Sequence, residues 1–450
     1  MKPFAGLPGP APVFPIGTVS DFLPWPPWSF KPPWEVCSSY AREYGPVTCI
    51  WMGGRPALVL NDPNVIREVL ETRPADFYKA APGRALDPLI TKNSVFTSNP
   101  PEWVALRESN PLNMANFDRW VAQLAAPLGE VVSHWSQRLQ STSRTSDVYQ
   151  PLEQMTFDMF SVAFWGRVLP SQFYHDFLAM AKTGTRRMMI EGAGFPLAPS
   201  IWPLFLFARR RWYCRFDAIV TEARNDGVPR GHDLLSTVLR AGTPLDGLPL
   251  VESIATNYFG GGFSCPSAIC AVLYLLAGRP DITERLRQEL KGMENGFTLE
   301  QLNQCTLLDY VVREALRLLT PVPMFFRNSS ATRTVRLAGC ELPPDTLLMI
   351  CNWHLHRSAD HWEKPHEFNP DRWANGATES DPLGSDWFFP FGRGPRTCIG
   401  MNFAMFSIRL TLATLLSRLR IRIDPNQPYT QNYFFAVMMP KGLKAEFSSA

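Results

Sequence analysis

Residues 388–406 read FFPFGRGPRTCIGMNFAMF and set one cysteine, Cys398, among Gly392, Gly394 and Gly400. The apolar periodicity that follows Cys398 predicts a helix, so the thiol sits on a glycine-rich loop just before a helix N-terminus. Backbone N–H groups and the positive end of the helix dipole stabilise a thiolate there. A single thiolate presented this way suits one axial bond to a haem iron, where sulfur pushes electron density towards the metal. A structural cysteine buried in a turn uses the same residue types.

Two pairs elsewhere have a spacing that chemistry can use. Glu314 and Arg317, in EALRLLTPVPMFFR, stand three residues apart and can form an ion pair across one helical turn. Trp103 and Arg107, in PPEWVALRE, stand four apart on one helix face, and a guanidinium fork there suits a carboxylate. A third stretch is a fault. Residues 260–268, GGGFSCPSA, interrupt VESIATNYFGGGFSCPSAICAVLYLLAGRP, which otherwise reads as one long buried helix. With about 1 kcal/mol for each helical Gly and about 3 for an interior Pro, the nonapeptide sacrifices roughly 6 kcal/mol of local propensity.

These residues must be positioned by a chain of 450 residues, longer than one core usually needs, which by length alone suggests two or three domains or one unusually large one. The composition, 45% hydrophobic and 19% charged, is globular. Many of the 42 prolines fall in residues 1–34, which read as an extended leader packed on the surface, because its Trp and Phe side chains are costly to leave in water. PVTCIWMGGRPALVL predicts a hairpin and NDPNVIREVLETRP a short capped helix. From about 102 to 315 the pattern is helical. Strand signals return in TRTVRLAGCELPPDTLLMICNW and NYFFAVMMPKGLKAEF, on either side of a last helix. No β-α alternation occurs, which excludes a doubly wound sheet or β/α barrel and predicts a mainly α fold with a small β region.

Other function classes find little support. A net charge of +3 without a basic run argues against nucleic acid. No uninterrupted apolar run of membrane-spanning length and no signal-type N-terminus is visible, so a soluble, cytoplasmic protein is expected. Nine cysteines without a C-x-x-C pair predict reduced thiols, and the spacing of His354, His356, His361 and His366 matches no familiar zinc pattern. No nucleophile-elbow sequence supports a hydrolase.

The run Phe391-Gly392-x-Gly394-x-Arg396-x-Cys398-x-Gly400, continuing to Ala404, resembles the haem-ligand loop of the cytochrome P450 family residue by residue. The resemblance extends over roughly residues 5–447. It implies one mainly helical catalytic domain, residues 35–450, with haem b (iron protoporphyrin IX) between two helices. It makes Cys398 the axial ligand, sets Phe391 and Gly392 beside it, and pairs Arg396, Trp103 and Arg107 with haem propionates, with Arg327 as a further partner. Glu314, Arg317 and Arg372, the last in FNPDRW, resemble the family's structural lock behind the cysteine loop.

The faulted helix is where the resemblance is imperfect. The family's (A/G)-G-x-(D/E)-T aligns with Gly260, Gly261, Gly262, Phe263 and Ser264, so Phe263 replaces the acid, and Pro266 removes the N–H that would bond the Gly262 carbonyl. Ser264, Gly262 and Phe263 are thus the candidate catalytic positions. Either Ser264, the Gly262 carbonyl and water replace the acid–alcohol relay under a narrowing Phe263, or Phe263 faces away as core packing. The resemblance implies a monooxygenase that uses dioxygen and electrons from a ferredoxin, flavodoxin or similar reductase. The alternative is a non-canonical isomerase, dehydratase or peroxygenase, or haem binding without turnover. A soluble, bacterial-type monomer is expected. Arg313, Arg393, Arg409 and Arg418 fall on the family's proximal side, either as a basic docking patch or as ordinary solvated arginines. Phe96, Phe259, Val322, Met324, Phe325, Phe434 and Phe435 are the implied substrate walls, which predicts a hydrophobic or aromatic substrate.

Overall fold

The computed structural model describes residues 6–449 apart from 14–16, 23–31, 53, 80–93, 109, 111, 113–116, 142–145, 193–201, 226–230, 243–246, 294–295, 375–384 and 435–436. Helices dominate, and among the described residues one mixed five-stranded sheet and three smaller antiparallel sheets stand beside them. In chain order the elements that matter here are α1 (Pro33–Tyr44), β1 (Val47–Met52), β2 (Arg55–Leu60), β3 (Phe77–Lys79), α2 (Glu102–Glu108), α3 (Phe117–Ser141), α4 (Tyr149–Trp165), α5 (Ser171–Gly192) and α6 (Trp202–Asn225). There follow α7 (Gly247–Ala255), α8 (Asn257–Gly261), α9 (Ser264–Ala277), α10 (Thr306–Leu318), β4 (Phe325–Ser329), β5 (Leu347–Ile350) and α11 (Met401–Arg418).

The mixed sheet runs β1-β2-β5-β4-β3, antiparallel except where β2 lies parallel to β5. Its register sets Lys79 directly opposite Arg327. The leader is held along β1: Cys49 N–H donates to the Pro8 carbonyl at 2.9 Å, and Thr18 N–H to the Trp51 carbonyl at 2.7 Å. Helix α1 already begins at Pro33 and buries Trp34, so the leader ends two residues before the expected boundary.

The predicted long helix is three segments, with turns at Thr256 and at Gly262–Phe263. Helix α9 is apolar all round and packs against α4, α10 and α11, which makes it a core element. The stretch Leu250–Ala277 is long and apolar enough to cross a bilayer, but its most apolar window is 72% buried in the protein. Tight packing explains why the break is tolerated. A Cβ on Gly261 would meet Phe160 Cε2 at 2.4 Å, and one on Gly262 would meet Phe177 Cζ at 2.8 Å, so the two glycines let α4 and α5 close on the helix. The Phe263 carbonyl accepts from Ser267 N–H at 3.3 Å and Oγ at 2.7 Å, and from the Tyr149 hydroxyl at 3.4 Å. Aromatic burial and these bonds offset the lost propensity.

Candidate functional site

Cys398 opens into a cavity of about 350 Å³ between the α7–α9 wall and the loop that precedes α11. The loop is built by local rules. Cys398 N–H donates to the Phe391 carbonyl at 2.8 Å and closes it, while Gly392 and Gly394 take φ of 74° and 70°. At Gly394 a Cβ would also strike the Leu70 carbonyl oxygen at 2.1 Å, so no other residue fits there. Burial pushes the Cys398 thiol up, and the Gly400 N–H, Arg107 and Lys79 pull it back down.

Behind the loop lies a closed charge network. Arg317 and Glu314, both with fully buried side chains, form a two-pronged pair with Nε–Oε2 at 2.9 Å and Nη2–Oε1 at 2.8 Å. Glu314 also accepts from Arg372 Nε at 2.9 Å, Trp373 Nε1 at 3.1 Å and the Asn369 N–H at 3.0 Å. Arg317 Nη1 donates to the carbonyls of His356 (2.8 Å) and Pro365 (2.6 Å). His356 Nε2 in turn accepts the Phe389 N–H at 3.2 Å, two residues before Phe391. The expected lock therefore reaches the cysteine loop through His356. Of the other histidines, His354 Nδ1 bonds the Ser38 hydroxyl at 3.0 Å and His361 stacks on Trp387.

A second set of cations is arranged differently. Lys79, Arg107, Arg327 and Arg396 all line the cavity, and among the described residues no Asp or Glu does. Arg107 donates to the Thr397 carbonyl at 2.9 Å, Arg327 to the Phe326 carbonyl at 2.8 Å, and Arg396 to the Ser98 carbonyl and Asn99 Oδ1 at 3.0 and 3.1 Å. Trp103 lies beneath Arg396 and Arg107, 4.6 and 5.6 Å from its ring centre. Burial, then the nearby Arg327 and Arg396, pull Lys79 down to about 7. Burial, then Arg396, brings Arg327 to about 10; burial, then Arg107, brings Arg396 to about 10. Cations that depress one another in a carboxylate-free rim need an anionic partner. A flat group that carries two carboxylates would meet that need, and with Cys398 in the same cavity the residues present fit haem.

On the opposite wall Ser264 lines the cavity and donates its hydroxyl proton to the Gly260 carbonyl at 2.9 Å. Two expectations are corrected here. Phe263 is fully buried and stacks on Phe177 at 4.7 Å, so it does not narrow the cavity. Gly262 is turned towards Phe177 and Tyr258, and Gly260 is the residue that bonds Ser264. The reason is the break itself: Pro266 ends the ladder, and the turn at Gly262–Phe263 swings both residues into the aromatic core.

Phe96, Phe259, Val322, Met324 and Phe325 line the cavity as expected. Phe434 lies on the strand Gln431–Phe434 with its side chain outside the description, and Phe435 falls outside the described residues. Three of the four proximal arginines are not simply solvated. Arg313 pairs with Asp309 at 2.5 Å, Arg409 with the same Asp309 at 3.8 Å, and Arg393 with Glu71 and Asp386 at 2.6 and 2.9 Å, all largely buried. Lys79, Asn99 and Asn257 belong to the site without any motif to mark them. Only the pairing of β3 with β4 could have revealed Lys79.

The cytochrome P450 family model matches residues 8–447. Cytochrome P450 3A6 of Oryctolagus cuniculus is 23% identical over 446 residues, covering 93% of this chain and 86% of the relative. Cytochrome P450 734A1 of Arabidopsis thaliana is 24% identical over 439 residues, covering 91% and 81%. Both are eukaryotic, and the expectation of a bacterial-type chain finds no support in them. The match runs from the leader to the last strand, and the chain therefore belongs to the cytochrome P450 family, haem-binding monooxygenases that draw electrons from a partner.

Proposed function

We propose that the protein inserts one oxygen atom from dioxygen into a hydrophobic or aromatic small molecule, with electrons from a separate ferredoxin, flavodoxin or similar reductase. The observation that carries this reading is the shared cavity, which joins Cys398, a cation rim without a described Asp or Glu, and the Ser264 hydroxyl in one mostly apolar space. Haem held there by the Cys398 sulfur, with Lys79, Arg107, Arg327 and Arg396 on its propionates, would supply the activation of dioxygen. The loop amides fix the sulfur, and the Glu314 network fixes the loop. Phe96, Phe259, Val322 and Met324 exclude water and orient an apolar substrate. Ser264 keeps its hydroxyl hydrogen on the Gly260 carbonyl and turns its lone pairs to the cavity, where Oγ can hold a water by accepting a hydrogen bond from it.

One observation favours a second reading. No described Asp or Glu lines the cavity, and the position of the family's acid is held by the buried Phe263. That arrangement also serves a peroxygenase, isomerase or dehydratase, which needs no protonation of dioxygen. Turnover separates the two. Product formation that requires both reductase and dioxygen supports monooxygenation; product formed with peroxide alone, or without any electron donor, selects the second. The thiolate assignment is checked by the red-shifted absorption of the reduced carbon monoxide complex, which Cys398→Ser should abolish.

A further inference from the structure

The polar side chains that reach the cavity from the broken helix share one property. Ser253 Oγ donates to the Leu250 carbonyl at 2.9 Å, Thr256 Oγ1 to the Glu252 carbonyl, and Asn257 Nδ2 to the Ser253 carbonyl at 3.1 Å. Ser264 repeats the pattern on Gly260. Each has committed a donor hydrogen to its own helix, as Ser and Thr in helices commonly do, which leaves only lone pairs on the hydroxyls, while Asn257 keeps its Oδ1 acceptor and one Nδ2 hydrogen. Thr256 also hydrogen-bonds Tyr213. Ser253 Oγ and Asn257 Oδ1, held close across the turn at Thr256 by the Asn257–Ser253 bond and both lining the cavity, are left as neighbouring acceptors, and Asn257 Oδ1 accepts nothing from the described residues. The walls around them are apolar, set by Phe259, Val322 and Met324 among others. An acceptor stranded in such a wall loses free energy when a purely apolar ligand displaces its water, and recovers it when the ligand brings a donor.

We infer that Ser253 and Asn257 form a donor-recognising subsite, and that the substrate is an apolar molecule carrying a neutral hydroxyl or amide N–H. The donor is neutral because no described carboxylate lines the cavity to pair with an ammonium, whereas several cations do. The inference rests on the haem-cavity reading above and deepens it by naming the substrate's second functional group.

Three N-alkyl imidazoles with tails of equal length test it in the haem-loaded protein. The imidazole nitrogen takes the open axial position, and the tail ends in a hydroxyl, a methyl ether or a methyl group. Affinity is read from the shift of the haem absorption band. The hydroxyl tail, a donor, should bind about three- to tenfold more tightly than the ether, which only accepts. That preference should vanish in Asn257→Leu and in the Ser253→Ala, Asn257→Leu double variant. Equal affinity for hydroxyl and ether tails in the unmodified protein overturns the subsite without needing any variant, as does a preference that survives both variants. Absence of any band shift with all three probes would instead overturn the haem-cavity reading, and the inference with it.

Discussion

Two groups of buried or half-buried arginines lie on either side of the Cys398 loop, and they are satisfied in opposite ways. Around Glu314 every charged donor finds an acceptor: Arg317 and Arg372 reach its carboxylate, and the surplus N–H groups reach carbonyls. Around the cavity, Arg107, Arg327 and Arg396 find carbonyls and an amide but no carboxylate among the described residues, and, after burial, Lys79 is depressed by Arg327 and Arg396, Arg327 by Arg396, and Arg396 by Arg107. A closed network holds a shape, whereas an open one holds a place for a ligand. The two look alike in sequence, as arginines near aromatic residues, and only their partners tell them apart.

The largest effect expected from this contrast is on the closed side. Glu314→Ala leaves Arg317 buried without its partner, and removing one member of a buried pair costs about 3–5 kcal/mol, so denaturant unfolding should show a large loss and haem loading should fall with it. If stability is unchanged while haem is lost, Glu314 belongs to the open set. On the open side the order of effects reverses. Arg396→Leu should leave unfolding of the haem-free protein close to the parent or slightly improved, since it removes an uncompensated cation, while haem dissociation rises roughly tenfold or more for each charged hydrogen bond lost. Equal haem retention in the variant would place the propionates elsewhere.

A smaller, pH-dependent effect sharpens the same point. The Lys79 value of about 7 in the fold lies below its ordinary 10.5, so between those values the unfolded chain holds a proton that the native chain has released. Stability of the haem-free protein therefore rises as pH increases from about 7 towards 10, and the full penalty applies below 7. Lys79→Gln should flatten that slope in thermal unfolding, and a slope unaltered by the substitution would remove Lys79 from the open cluster. The smallest effect concerns the helix break. Tyr149→Phe removes one of the three hydrogen bonds to the Phe263 carbonyl and should cost about 1 kcal/mol with the haem spectrum unchanged.

Much of the architecture was legible before folding. The β1–β2 hairpin, the helical middle, the last helix and the cysteine loop follow from periodicity, turn residues and a dense local pattern. The Glu314–Arg317 spacing and the Trp103–Arg107 spacing work the same way, because residues three or four apart on a helix are neighbours whatever surrounds them. The orientation of the faulted helix was not legible. Its residue types announce a break, but whether Phe263 meets the cavity or the core depends on how a turn of the backbone is rotated against Phe177 on α5, and a single register of residues is compatible with both.

The sequence by itself determined the family and the mainly helical class, and it marked out the Cys398 loop, because each rests on residues close together in the chain. Tertiary structure alone decided three things: that Lys79 joins Arg327 and Arg396, that Phe263 and Gly262 turn into the aromatic core, and that Arg313, Arg393 and Arg409 are already paired. The physical reason is common to all three. Charge compensation and side-chain direction depend on neighbours tens to hundreds of residues away, as Lys79 opposite Arg327 and Arg393 on Glu71 both show. Local spacing encodes what a residue can do, and long-range packing selects what it does.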